Sequence, residues 1–178
     1  MPEGIIICGA NGSGKTTLGR ELARILNCKY MDIEDYYFEK SDIPYTKACS
    51  REECVRRMLS DIYKYNSFVL SAVDGNFGEE ITKMYELAVF LSVPVEIRME
   101  RIKQRTYEQH GERVMPGGDM YEQQQRFIEF ARTRSLSHID MWMKTLKCPV
   151  IRLDGTKAIF ENVPIVLELI NSKLKKIN

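Results

Sequence analysis

The chain has 178 residues, 44% hydrophobic and 29% charged, enough to bury one core and too few for two comfortable domains, so a single α/β domain over 1–178 is expected. Its 26 basic and 25 acidic side chains leave a formal charge of +1, which excludes a global field for nucleic acid or an anionic membrane and makes any anion site local. No apolar run approaches the roughly 18 residues of a membrane span, and Met1-Pro2-Glu3 leads straight into a strand without a signal segment, so a cytoplasmic protein is expected.

In chain order, Gly4 to Cys8 is an unbroken apolar run, the pattern of a strand buried on both faces of a parallel sheet. The segment Gly9-Ala10-Asn11-Gly12-Ser13-Gly14-Lys15-Thr16 fits G-x-x-x-x-G-K-[ST] and opens into a helix with Leu18, Leu22, Ile25 and Leu26 at helical spacing. Glycines let successive N–H groups turn inward around the phosphates of a nucleotide, and Lys15 adds a mobile positive charge. Thr16 offers a hydroxyl to Mg²⁺, and the helix N-terminus directs its dipole at the same anion. Gly9, Asn11, Gly12, Ser13, Gly14, Lys15, Thr16 and Thr17 are therefore the candidate nucleotide-binding residues.

A second strand, Lys29 to Ile33, follows so closely that a right-handed parallel crossover is required. It ends in Asp32, Glu34 and Asp35, acidic residues at the carboxyl edge where open α/β sheets bind ligands. Carboxylates there can hold Mg²⁺-bound water, accept a proton from a substrate hydroxyl, or bind substrate hydroxyls directly. Phe38 to Ala48, interrupted by Pro44, reads as a mobile connector; Ser50-Arg51-Glu52-Glu53 is a capping box for an amphipathic helix to about Tyr65. Arg51, Arg56 and Arg57 lie on or near its polar side.

The third strand, Phe68 to Val73, delivers Asp74-Gly75-Asn76 to the same edge, with Asp74 a candidate to anchor Mg²⁺ through water opposite Thr16 or to contact an acceptor. A short helix near Glu79–Glu86 leads to a fourth strand, Leu87 to Leu91. Pro94 then starts a helix that carries Arg98, Arg101 and Arg105 on one face, of which Arg101 and Arg105 are the stronger site candidates. Thr106 to Asp119 is polar and glycine-bearing, the composition of a short lid that carries Arg113 over phosphates. Met120 to about Leu146 reads as one long helix, with Arg132 and Arg134 candidates for the acceptor side. A fifth strand, Pro149 to Leu153, ends in Asp154-Gly155-Thr156, a loop suited to a base edge, before a last helix from Glu161 to Lys176 with the basic tail Lys173, Lys175 and Lys176. Neither the five scattered cysteines nor His110 and His138 have metal-ligand spacing.

The GANGSGKT segment, together with the order and spacing of these features over nearly the whole chain, resembles the small P-loop kinases of the adenylate kinase and shikimate kinase superfamily. The resemblance implies a three-layer α/β P-loop NTPase fold: a five-stranded parallel sheet in the order 2-3-1-4-5, helices on both faces, a substrate-binding region at about 34–66 and a lid at about 106–119. It implies ATP held by the loop, Arg101 near adenine, Arg105 and the lid residue Arg113 on the transferred phosphoryl, and the Gly155 loop by the base. The acceptor would lie between the end of strand two, the capped helix and strand three. The turn Val73-Asp74-Gly75-Asn76-Phe77 matches neither the Gly-Phe-Pro-Arg-like turn of adenylate kinases nor the triple glycine of shikimate kinases, so nucleoside, nucleotide and shikimate-like alcohols all stay open.

The function expected is transfer of the γ-phosphoryl of Mg-ATP to a small acceptor by a monomer or homodimer. Lys15, Arg105 and Arg113 would stabilise the transferring group, with Asp32 or Asp35 orienting or deprotonating the acceptor hydroxyl. The alternative is a P-loop NTPase that acts as a nucleotide switch without a small-molecule acceptor.

Overall fold

Side chains alternate across the first strand, β1 (Glu3–Gly9), so Ile6 and Cys8 enter one buried cluster and Ile5 and Ile7 another. In the computed structural model, which describes residues 2–39, 41–42 and 46–174, this alternation sorts the core into two layers on either side of one sheet. Strands β2 (Lys29–Asp32), β3 (Ser67–Ser71), β4 (Tyr85–Ser92) and β5 (Val150–Asp154) join β1 in the order β2-β3-β1-β4-β5, every pairing parallel. The sheet order and the α/β fold class expected from the sequence are borne out.

Helices α1 (Lys15–Leu26) and α8 (Ile159–Leu174) cover one face, with Leu18, Leu22, Val163 and Val166 packed on Ile5, Ile7, Val69 and Val89. The other face carries α3 (Arg51–Tyr65), whose Cys54, Met58 and Ile62 recur at a spacing of four and pack on Phe68, Leu70 and Ala88. Half of the capping box forms: Ser50 Oγ accepts the Glu53 amide at 3.2 Å, while the Glu53 carboxylate pairs with Arg56 instead of turning back to the Ser50 amide. A five-residue helix, α2 (Ile33–Tyr37), begins at the last residue of β2, where Asp32 is its N-cap, so the second strand ends one residue earlier than expected. The connector after α2 is partly ordered: Phe38 bridges Ala48 antiparallel, and Glu39 N donates to Lys47 O at 2.9 Å. Pro44 lies outside the described residues, as do Lys175 and Lys176 and the side chain of Lys173.

Further boundaries differ from expectation: β3 ends at Ser71 rather than Val73, and α8 starts at Ile159 rather than Glu161. The helix after β3 is one turn, α4 (Glu79–Thr82), and β4 begins at Tyr85, since Tyr85 and Leu87 are needed in the core. The lid segment starts as the end of α5 (Val95–His110) and becomes a 3₁₀ turn over Gly111–Val114, so only its last stretch, Met115 to Asp119, is loop. The expected long helix from Met120 is two, α6 (Tyr121–Thr133) and α7 (Ser137–Met143). One contact and one backbone turn mark the break: the Ser135 hydroxyl accepts the Ser137 amide at 3.3 Å, and Arg134 takes φ −57°, ψ 120°. The turn lets α6 pack Ile128 and Ala131 on α5 while α7 sends Ile139, Trp142 and Met143 into the sheet core. Among the described residues no helix is long and apolar enough to cross a membrane.

Candidate functional site

The site forms where β1 stops. Ser13 N donates to Ala10 O at 3.2 Å, Gly14 takes φ 95° as the N-cap of α1, and the helix begins at Lys15 with no acidic residue in its first turn. A free helix N-terminus without an internal carboxylate is an anion site by its own dipole and open N–H groups. Gly12 is required for a second reason: at φ 81° a Cβ there would lie 2.6 Å from the Arg98 carbonyl oxygen. Gly9 N meets Val73 O at 3.4 Å, which sets the loop against the end of β3. Ser13 is buried with its hydroxyl unpartnered among protein groups.

Lys15 folds back over the loop, its ammonium donating to Ala10 O at 2.9 Å. Burial lowers its pKa to about 8 against the opposing pull of the Glu34 and Asp32 carboxylates. A desolvated ammonium with a carbonyl in place of an ion partner is a cation prepared for an anion. Thr16 Oγ1 donates to Asp32 Oδ2 at 3.1 Å, and Asp32 Oδ1 accepts the Glu34 amide at 3.2 Å as the cap of α2. Asn11, Gly12, Gly14, Lys15, Thr16 and Thr17 line one side of a cleft of about 240 Å³, with Asp32 and Glu34 at another wall and Arg101 and Arg105 on α5.

The expected site residues separate into two groups. Lys15, Thr16, Asp32, Arg101 and Arg105 share the cleft with the loop. Arg101 also donates to Gly155 O at 2.9 Å, and Gly155 presses so close to the loop that a Cβ would lie 2.8 Å from Ser13 O. Asp35 is exposed and lines a different hollow beside β2, with Arg56, Arg57 and Asp61. Arg113 pairs with Asp119 at 2.8 Å and Asp42 at 3.3 Å. Asp74 accepts the Asn76 amide at 2.9 Å and stands 3.5 Å from His138 Nε2. The carboxylate hydrogen-bonded to Thr16 is thus Asp32, and the Asp74 side chain is taken up by its own turn and α7. Arg132 stands by Glu129 at 3.9 Å, and Arg134 lies 5.4 Å over the Phe130 ring.

A further residue of the site gave little signal in the sequence. Arg98 is buried, and its guanidinium donates to Val93 O at 3.3 Å, Asn11 O at 3.3 Å and Ala131 O at 3.2 Å. It clips the phosphate loop to α5 and α6. Its only mark in the sequence is its place one turn before Arg101. Cys8, at the end of β1, is held up to about 12 by burial and the Asp74 carboxylate, which makes its thiol inert.

Among the described residues no group of three or more His, Cys, Asp or Glu is placed to hold a metal ion. The oxygen donors at the loop are the Thr16 hydroxyl and the Asp32 carboxylate. That pair suits Mg²⁺, a hard cation that takes few protein ligands and shares the rest with phosphate and water.

The family model described as AAA domain matches residues 5–126. Over 180 residues, 97% of this chain and 99% of the relative, the sequence is 31% identical to "Uncharacterized protein YqaC" of Bacillus subtilis. It is 30% identical over 118 residues to a shikimate kinase of Enterococcus faecalis, covering 60% of this chain and 69% of that one. In fold it is similar to a gluconokinase from Sinorhizobium meliloti 1021, with a TM-score of 0.57, 14% identity, and 99% and 95% of the two chains covered.

Proposed function

The chain belongs to the AAA domain family within the adenylate kinase and shikimate kinase-like superfamily, and from that premise we propose that it is an ATP-dependent kinase of a small-molecule acceptor. The observation that carries the proposal is the shared cleft, in which Lys15, Arg101, Arg105 and the N-terminus of α1 supply positive potential and Asp32 and Glu34 supply carboxylates.

In this reading the loop amides and Lys15 bind the β- and γ-phosphates, and Arg105 adds positive charge where the transferring phosphoryl gains negative charge. Arg101, tied to Gly155 O, would lie on the base side. Thr16 and Asp32 would hold Mg²⁺, which when bound would neutralise charge on the nucleotide phosphates. The acceptor hydroxyl attacks the γ-phosphorus as the bond to the β-bridging oxygen breaks, and a carboxylate of the Asp32–Glu34 segment orients the hydroxyl and takes its proton. Positioning and electrostatic stabilisation supply most of the rate in such a transfer.

The test is ADP formation from ATP across a panel of nucleosides, nucleotides, polyols and sugar acids. Turnover that depends on one acceptor class and disappears in Lys15→Ala is the expected result. Acceptor-independent hydrolysis would replace the kinase with a nucleotide switch.

A further inference from the structure

Asp32 is held by more than the phosphate-loop side of the site. The Tyr30 hydroxyl donates to Asp32 Oδ2 at 3.0 Å, the same oxygen that takes the Thr16 hydroxyl at 3.1 Å. Oδ1 is engaged by the Glu34 amide, so three donors from β2, α1 and α2 fix the plane of one carboxylate.

The ring of Tyr30 is itself fixed. It fills the space left by Gly19 on α1, where a Cβ would fall 2.7 Å from Tyr30 Cε2 and 2.6 Å from Ser71 Oγ. The guanidinium of Arg20 lies 5.6 Å from the centroid of the ring. Ser71 Oγ in turn donates to Lys15 O at 3.1 Å, so the residue beside Tyr30 also steadies the first turn of α1.

A phenylalanine would fill the gap beside Gly19 equally well. The hydroxyl adds only its hydrogen bonds, and a half-buried hydroxyl is disfavoured without them. Its strongest partner is the ionised carboxylate of Asp32. We infer that Tyr30 is a positioning residue of the site, holding the Asp32 carboxylate against Thr16 so that the two side chains present their oxygens together to a magnesium ion. The inference rests on the assignment of Thr16 and Asp32 to Mg²⁺ made above.

The test is calorimetric binding of the non-hydrolysable analogue AMPPNP, with Mg²⁺ and with EDTA, to the wild-type chain, Tyr30→Phe, Asp32→Asn and the double variant. The ratio of the two affinities isolates the magnesium-dependent gain from phosphate binding by the loop. Tyr30→Phe is expected to reduce that gain about tenfold, the loss of one hydrogen bond to a charged group, and to leave the affinity in EDTA unchanged. Asp32→Asn is expected to remove the gain, so that adding Tyr30→Phe to it lowers the gain no further.

A full magnesium-dependent gain in Tyr30→Phe overturns the inference and leaves the proposed function standing. An equal weakening with and without Mg²⁺ also overturns it, since that is the pattern of a merely structural ring. A wild-type chain that binds AMPPNP no better with Mg²⁺ overturns the Thr16–Asp32 assignment, and one that binds no AMPPNP overturns the proposed function as well.

Discussion

Thr16, on the first turn of α1, and Asp32, at the end of β2, stand 16 positions apart and are joined by a 3.1 Å hydrogen bond from hydroxyl to carboxylate. The bond closes the crossover β1-α1-β2 at its ligand-binding end. It leaves the lone pairs of Thr16 Oγ1 available to a cation while its proton is directed to Asp32.

Asp32 therefore has two duties that substitution can separate. Asn keeps the cap of α2 but not the charge, so Asp32→Asn is expected to lower kcat about 100-fold and to cost less stability than removal of the whole side chain. Asp32→Ala also loses the cap, and is expected to cost about 1 kcal/mol of stability besides. Melting curves set beside turnover numbers for the two variants check this; equal stability in both would remove the capping role.

Lys15 is expected to make nucleotide binding depend on pH. Its folded-state pKa, lowered to about 8 by burial, is below its ordinary value of 10.5, so between those limits the unfolded chain holds more protons than the folded one. For this group the apo protein gains stability as pH rises from about 8 towards 10.5. Phosphate prefers the ammonium, so nucleotide affinity is expected to fall as pH rises above about 8, with proton uptake on binding. Calorimetry in two buffers of different ionisation enthalpy measures that uptake, and its absence at pH 9 would show that Lys15 keeps its proton without ligand.

Arg98 should matter for stability and for the loop together. Removing the guanidinium leaves the carbonyls of Val93, Asn11 and Ala131 without that donor. Arg98→Met is expected to cost about 3 kcal/mol, or about 10 °C in Tm, and to weaken nucleotide binding without touching the cleft. Differential scanning calorimetry and nucleotide titration at a temperature where the variant is folded give both numbers. A variant as stable as the wild type would mean that the three hydrogen bonds carry no net free energy.

Arg113 separates lid chemistry from surface chemistry. Its pairing with Asp119 holds that carboxyl below the usual carboxylate range, so the contribution of the pair is complete above the ordinary carboxylate pKa and is lost as pH falls through the lowered value. At pH 7 both groups are exposed enough for solvent to screen them, and Arg113→Ala is expected to leave Tm unchanged. If Arg113 serves the transferred phosphoryl, the same variant lowers kcat; if it is only a surface ion pair, kcat is unchanged and the residue leaves the site.

Local signals carried much of the site. The spacing Gly9-x-x-x-x-Gly14-Lys15-Thr16 works because phosphate recognition is built from consecutive amides and one helix N-terminus, so sequence distance and spatial distance coincide. Asp32 was visible as an acidic residue at a strand end, but Asp35 had the same credentials. Only the one-turn geometry of α2 sends Asp35 to a different hollow from the phosphate cleft. Asp74 shows the same limit of local reading: an apolar strand followed by Asp has several outcomes, and here its carboxylate accepts the Asn76 amide and stands beside His138.

The sequence by itself determined the buried strands, the phosphate loop and the arginine helix, because strand burial, helical periodicity and the loop motif are each written over a few neighbouring residues, while the sheet order followed from the family resemblance that these features carry. Tertiary structure decided which arginine is a clip and which lines the cleft, where the helix from Met120 breaks, and that Tyr30 reaches Asp32. Those outcomes depend on the close fit of Gly19 to Tyr30 and of Gly12 to Arg98, contacts between elements whose separation no local pattern records.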